Sequence, residues 1–295
     1  MLHLEFAIAP SQISSIADLV ILESRLGYEK GAVLSRFPKS WFREVLQKLN
    51  MELDGSKLDR ATEKLRALQS SKLVALGRPF EGNAWIEAAI NSHATKPFHR
   101  LVEESFNEQR IFISSLVDLG DQDFSFRTSY RREAQSLAVA ASALLFGTEK
   151  VTIYDPFICA TISGYRKVLL ELMKICNKPV VEFHIFSEED KKPAWELTEQ
   201  ALQSFVRDMP TNIKLFWYCA NDHGTGFLHP RGLFTAKGGL VYDRGFVEPN
   251  SREQRAEFTD ITPMASETLQ SKAKSYNASQ HEDFELVRAV WCSHP

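Results

Sequence analysis

The chain has 295 residues, of which 44% are hydrophobic and 25% carry a charge. This composition excludes a disordered or low-complexity chain, and the length is sufficient for two domains with separate cores. The formal net charge of −3 argues against a protein that binds nucleic acid or anionic lipid through an overall positive field.

The sequence also bears on the cellular compartment. Residues 1–10 lack the basic start and long apolar run of a signal peptide, and nowhere do about 18 uncharged apolar residues follow one another, so we expect neither secretion nor a transmembrane helix. The four cysteines show no C-x-x-C spacing, which favours buried thiols in a reducing cytosol over disulfides or zinc. We therefore predict a cytoplasmic protein.

Residues 1–122 show helical periodicity and predict a mainly helical N-terminal domain. The predicted elements are helices over Ser11–Leu26, Pro38–Leu49 and Leu58–Leu68, a short strand within Lys72–Gly77, and a helix over Glu81–Ser92. Three helices and a short β-element are compatible with a winged-helix module. Basic and acidic residues balance in this half, however, whereas a DNA-binding domain is usually basic, so we expect the domain to dock a protein partner or to serve a structural role.

The polar stretch Gly120–Phe124 indicates a domain boundary, after which helical and strand patterns alternate over residues 123–295. The predicted order is helix Ser129–Phe146, strand Lys150–Phe157, helix Gly164–Cys176, strand Val180–Phe186, helix Ala194–Asp208 and strand Ile213–Cys219. Such alternation is typical of an α/β domain, here with a mixed sheet in which Val151–Tyr154 is an interior strand. Ser251–Gln280 is predicted as a long loop, and His281–Cys292 as a closing strand.

The stretch Phe227–Phe246 concentrates the candidate functional residues. In an extended segment His229 and Arg231 share one face, and a turn at Gly238–Gly239 returns the chain toward Arg244. Guanidinium and imidazole groups are suited to binding a phosphate. Lys237 and Asp155 complete the candidate phosphate-binding set, since Asp155 ends the first strand of the α/β pattern, where such sheets bind ligands. The alternative is that these are strand residues neutralised by neighbouring carboxylates.

Four short motifs, in this order, resemble a known family. They are Asp155-Pro156-Phe157, His229-Pro230-Arg231, Gly238-Gly239 and Asp243-Arg244-Gly245, within residues about 127–248. They resemble the C-terminal domain of MIT-domain-containing proteins, a degenerate relative of phospholipase D. The resemblance implies a phospholipase D-like mixed sheet flanked by helices. Bacterial domains of this kind are also similar to components of phage-conflict systems, which makes antiviral defence the expected context.

The resemblance has limits at the motif itself. The phospholipase D superfamily carries His-x-Lys-x4-Asp twice per active site, whereas this chain has one such motif, with Arg231 in place of the Lys and no Asp at the position that ends it. The resemblance therefore implies a pseudo-enzyme that recognises a phosphorylated ligand or a nucleic-acid backbone as a binding or assembly component. The alternative is a phosphodiesterase or nuclease in which a homodimer brings together two copies of His229 as nucleophile and acid.

We expect neither a metal nor an organic cofactor. The sequence contains no Gly-rich phosphate loop and no cluster of metal ligands with workable spacing.

Overall fold

The computed structural model describes residues 1–104, 111–277 and 282–294. The chain divides into two compact units, His3–Phe126 and Arg127–Pro295 together with Met1–Leu2. Among the described residues, no helix combines the length and the apolar character that crossing a bilayer requires. Each unit is built around its own sheet.

The unit His3–Phe126 contains a five-stranded sheet in which every pairing is parallel. Its strands are β1 (Leu4–Ile8), β2 (Ala32–Ser35), β3 (Leu73–Val74), β4 (Arg100–Val102) and β5 (Phe112–Ile113). Its helices are α1 (Ile16–Arg25), α2 (Trp41–Glu52), α3 (Gly55–Ser71) and α4 (Trp85–Thr95). The strand order is β3-β2-β1-β4-β5, so the chain winds outward from β1 in both directions, as in a doubly wound fold.

The prediction of a mainly helical, winged-helix-like module is not confirmed for this unit. The four predicted helices are present, but a parallel sheet runs between them, and β1 and β2 were not predicted. Both strands are short and almost wholly buried, so they lack the alternation of apolar and polar residues by which a half-exposed strand is recognised.

The second unit contains an eight-stranded sheet. Its strands are β6 (Ser129–Arg131), β7 (Lys150–Tyr154), β8 (Val181–Glu188), β9 (Ile213–Asn221), β10 (Gly232–Phe234), β11 (Gly239–Tyr242), β12 (Phe258–Pro263) and β13 (Glu285–Ser293). Its helices are α5 (Ala134–Ala140), α6 (Ser142–Leu145), α7 (Ser163–Ile175), α8 (Trp195–Val206), α9 (Arg252–Ala256) and α10 (Ser266–Ser275).

The order of this sheet is β13-β9-β8-β7-β10-β11-β12-β6. Strands β7, β8 and β9 are parallel, as their βαβ connections require, and all other pairings are antiparallel. The predicted α/β class and mixed sheet are confirmed. So is the interior position of Val151–Tyr154, because β7 lies between β8 and β10.

One face of this sheet carries a cluster of aromatic side chains. Tyr154, Phe186 and Tyr218 occupy matching positions on β7, β8 and β9 and therefore point to the same side. Tyr276, just beyond α10, stacks on Tyr154 with ring centroids 4.7 Å apart. The segment that contains α10 therefore packs against the sheet.

Two predicted elements of this unit are corrected. Ser129–Phe146 is not one helix but strand β6 followed by α5 and α6. The predicted loop Ser251–Gln280 contains α9, β12 and α10, while its last residues, 278–280, lie outside the described part of the chain. The loop interpretation rested on the scarcity of apolar residues, but α10 needs few because most of its surface is exposed.

Candidate functional site

Four polar side chains belong to segments that meet at one edge of the eight-stranded sheet. Asp155 follows β7, Lys192 comes shortly after β8, and Asp222 follows β9. Because these strands are parallel, their carboxyl ends share an edge. Arg231 directly precedes β10, which is antiparallel to β7, so Arg231 belongs to the same edge. This is the edge at which α/β sheets bind ligands.

Asp155 is the most buried of these groups, with 1% of its side chain exposed. Its Oδ1 accepts the N–H of Phe157 at 2.9 Å, and its Oδ2 accepts the N–H of Phe246 at 3.2 Å. Burial raises the pKa of the Asp155 carboxyl above its ordinary value, although both N–H donors and Arg231 act to lower it. Asp155 therefore joins the turn after β7 to the turn after β11.

Arg231 lies beside this carboxylate and has contacts on three sides. Its Nε is 3.9 Å from Oδ1 of Asp155, and its Nη1 donates to the carbonyl of Asp243 at 2.8 Å. Its guanidinium carbon lies 4.9 Å from the centre of the Phe157 ring. The side chain is still 27% exposed, so a positioned cation faces solvent at this edge.

Lys192 brings a second cation to the turn after β7, where its Nζ donates to the carbonyl of Pro156. Burial lowers the pKa of Lys192 below its ordinary value, and the nearby Cys159 and Asp155 oppose that effect. Lys192 was not among the residues predicted from the sequence, since no motif includes it. The only available signal was its place just after a strand parallel to β7, in the run Glu188-Glu-Asp-Lys-Lys192.

His229 lies in the exposed segment that precedes β10. Its backbone N–H donates to the carbonyl of Gly226 at 3.2 Å. The loop before it is organised by the Asp222 carboxylate, which accepts the N–H groups of Gly224 and Leu228 at 3.1 and 3.0 Å. The Leu228 N–H makes the largest contribution to lowering the pKa of Asp222, and His229 adds a smaller electrostatic one. The imidazole is thus presented to solvent next to an ordered loop.

Arg244 is paired outside the group formed by Asp155 and Arg231. Its Nη1 forms an ion pair with Oε2 of Glu257 at 2.7 Å, and its backbone N–H donates to Thr259 at 3.2 Å. Glu257 also accepts a longer bond, 3.4 Å, from Arg132. The turn at residues 243–245 thus directs the Asp243 carbonyl to Arg231 but sends the Arg244 side chain toward β12. The structure brings Asp155 and Arg231 together and pairs Arg244 elsewhere.

Lys237 lies at the other end of β10 from Arg231 and does not belong to the same edge. Its Nζ donates to the carbonyl of Phe146 at 2.6 Å, and burial lowers its pKa. Thr235 is 4% exposed, and its Oγ1 accepts the N–H of Lys237 at 3.2 Å. Both residues therefore help to form the turn between β10 and β11.

Within the described residues, no group of three or more His, Cys, Asp or Glu side chains is arranged to hold a metal ion. No protein-family model matches the chain, and a search of curated proteins found no match.

Proposed function

We propose that the second unit is a degenerate phospholipase D-like module that recognises a phosphate-bearing ligand and acts as a binding or assembly component. The observation that carries this proposal is the environment of Arg231. Asp155, Asp243 and Phe157 position its guanidinium, while part of it stays open to solvent. A planar, positioned guanidinium with free donors is suited to a phosphate group.

Lys192 supports the same proposal. A second cation at this edge adds to the field that an anionic ligand would meet, and burial makes its charge costly in the absence of an anion. A bound phosphate would offset that cost and would compete with Asp155 for Arg231, from which the carboxylate is 3.9 Å away rather than at hydrogen-bond distance.

Two observations favour binding over catalysis. Ala236 stands where the motif would place its aspartate, and a methyl group cannot support a catalytic histidine. The chain also offers one motif, whereas a mechanism in which one histidine attacks the phosphorus atom needs a second histidine as the acid.

The experiment is a calorimetric titration of the protein, first with inorganic phosphate and then with a 5′-phosphorylated single-stranded oligonucleotide. Arg231→Ala should weaken binding about 10- to 100-fold, the effect of losing a charge-assisted hydrogen bond. Arg244→Ala is the matched control and should leave the affinity unchanged, because Arg244 is paired with Glu257. Equal affinities for Arg231→Ala and the wild type would refute the proposal.

The exposure of His229 supports an alternative function. In it the protein is a homodimeric phosphodiesterase or nuclease, and His229 is the nucleophile. Hydrolysis of bis(p-nitrophenyl) phosphate that disappears in His229→Ala, while phosphate binding persists, would establish this alternative. The cytoplasmic location and the antiviral context remain predictions from the sequence.

A further inference from the structure

The last strand of the second sheet is long, and no described strand pairs with its outer edge. β13 has nine residues, none of them buried, and β9 is its one partner among the described strands. The indole of Trp291 is 69% exposed, and Val287 and Val290 are only partly buried. A strand with this apolar content, long enough to pair along its outer edge, is a template for another strand.

The other sheet edges among the described residues are protected by their shortness. β3 and β5, at the two edges of the five-stranded sheet, have two residues each, and β6 has three. Short edge strands are a common way to prevent unwanted pairing. In β13 the one irregularity is a bulge at Val287, which leaves Arg288–Ser293 in regular register with β9. The outer edge of this regular part is therefore free to pair.

The two charged side chains of β13 each have a partner in the same unit. Glu285 is 3.3 Å from the imidazole of His223, and the Arg288 guanidinium lies 6.0 Å from the ring of Trp195. The stretch that follows them, from Ala289 to Cys292, carries no charge. Two copies of this stretch can therefore lie side by side without like-charge repulsion, which makes the strand compatible with its own copy.

We propose that β13 is a homodimer interface, in which two copies pair antiparallel across a two-fold axis and join their sheets. Such an axis stands perpendicular to the joined sheet, so a side chain and its copy in the partner point to the same face. Because side chains alternate along a strand, the residue numbers of two directly opposite residues then differ by an even number. Centring the pair on Val290 places Trp291 opposite the partner's Ala289, so that a large side chain faces a small one. The two-fold axis repeats this contact on the other side of Val290. Trp291 lies beside Phe216 of β9, which packs against the aromatic cluster of this sheet. The pairing would therefore extend the aromatic surface to the interface.

The first test is the oligomeric state of the full chain by sedimentation velocity over a range of concentrations. The wild type should be a dimer, and Trp291→Lys should raise the dissociation constant by about 30-fold or more, as expected for the loss of a central tryptophan. Met51→Lys is the matched control, since Met51 is an equally apolar side chain, 84% exposed, in the other unit. A monomeric wild type, or a dimer that Trp291→Lys leaves intact, would overturn the proposal.

The second test examines the register. In a Cys292→Ser background, Val290→Cys places two thiols on the proposed axis, where neighbouring strands bring opposite residues within disulfide range. Mild oxidation should give a covalent dimer on a non-reducing gel. Val241→Cys, at a 36% exposed strand position, should stay monomeric on the gel. Equal cross-linking of the two variants would show random collision and would count against pairing through β13.

Discussion

The Asp155 carboxylate fills the space that a side chain at Gly245 would need. A Cβ atom built on Gly245 would lie 2.3 Å from Oδ2 of Asp155 and 3.0 Å from Cδ of Arg231. Gly245 also has a φ of +69°, a conformation that other residues adopt only with strain. The turn after β11 can therefore approach the buried carboxylate closely only because it contains this glycine.

Gly245→Ala should destabilise the protein by at least about 2 kcal/mol, because it adds steric overlap with a fixed carboxylate to the backbone strain. Gly55→Ala provides the control, since Gly55 has a φ of +46° but no atom within 4 Å of the added Cβ. That variant should lose only about 1 kcal/mol. Urea denaturation gives both values, and similar losses in the two variants would contradict the role assigned to Asp155.

A buried ion pair in the first unit leads to a different prediction. Glu5 and Arg78 are 0% and 3% exposed, and Nε of Arg78 donates to Oε1 of Glu5 at 2.9 Å. Ser35 donates to the same oxygen at 2.7 Å. Glu5→Leu should cost about 3–5 kcal/mol in unfolding free energy, because it leaves a buried guanidinium without its counter-charge.

The double variant Glu5→Leu/Arg78→Met should recover much of that loss, since it removes both charges. The exposed pair formed by Arg25 and Asp121 is the comparison, with side chains 41% and 97% exposed. Arg25→Ala should cost less than about 1 kcal/mol. A double variant as unstable as Glu5→Leu alone would mean that the lost packing, and not the unpaired charge, dominates.

His3 gives a prediction for pH dependence. It is 1% exposed, and burial lowers its pKa from 6.5 to about 4, because a charged imidazole would be desolvated there. The unfolded chain therefore takes up a proton at higher pH than the folded chain. Stability from neutral His3 is complete above pH 6.5 and is lost as the pH falls toward 4.

The wild type should accordingly lose about 3 kcal/mol more than His3→Phe between those two pH values. Denaturant unfolding at each pH measures the difference. If His3→Phe and the wild type lose stability in parallel, the titrating group lies elsewhere.

The sequence predicted the α/β character of the second unit because its strands and helices alternate and are long enough to show their periods. β7, β8 and β9 are five to nine residues long, and β8 and β9 follow helices with clear apolar stripes. The strands of the first unit have two to five residues. In strands this short and this buried, the local pattern of apolar and polar residues does not distinguish a strand from a loop. Only pairing with the neighbouring strands defines them.

The candidate site was predictable only where a motif and a strand end coincide. Asp155 and Arg231 flank neighbouring strands, so topology alone places them at one edge. Arg244 also follows a strand that ends at this edge, but its rotamer depends on Glu257, which precedes β12 in a segment where no element was predicted. Lys192 comes from another connection, and its approach to Pro156 depends on the fold of that connection. Side-chain direction in turns is not encoded in residue spacing.

The pairing of β9 with β13 also sets an order of events during synthesis. The inner strand is complete at Asn221, but the strand that covers its free edge begins only at Glu285. At 5–20 residues per second, the ribosome needs about 3–13 s to make the intervening segment. During that interval the apolar strand that carries Phe216 and Trp217 has no neighbour on one side. Newly made chains are therefore most exposed to mispairing just before the last strand emerges.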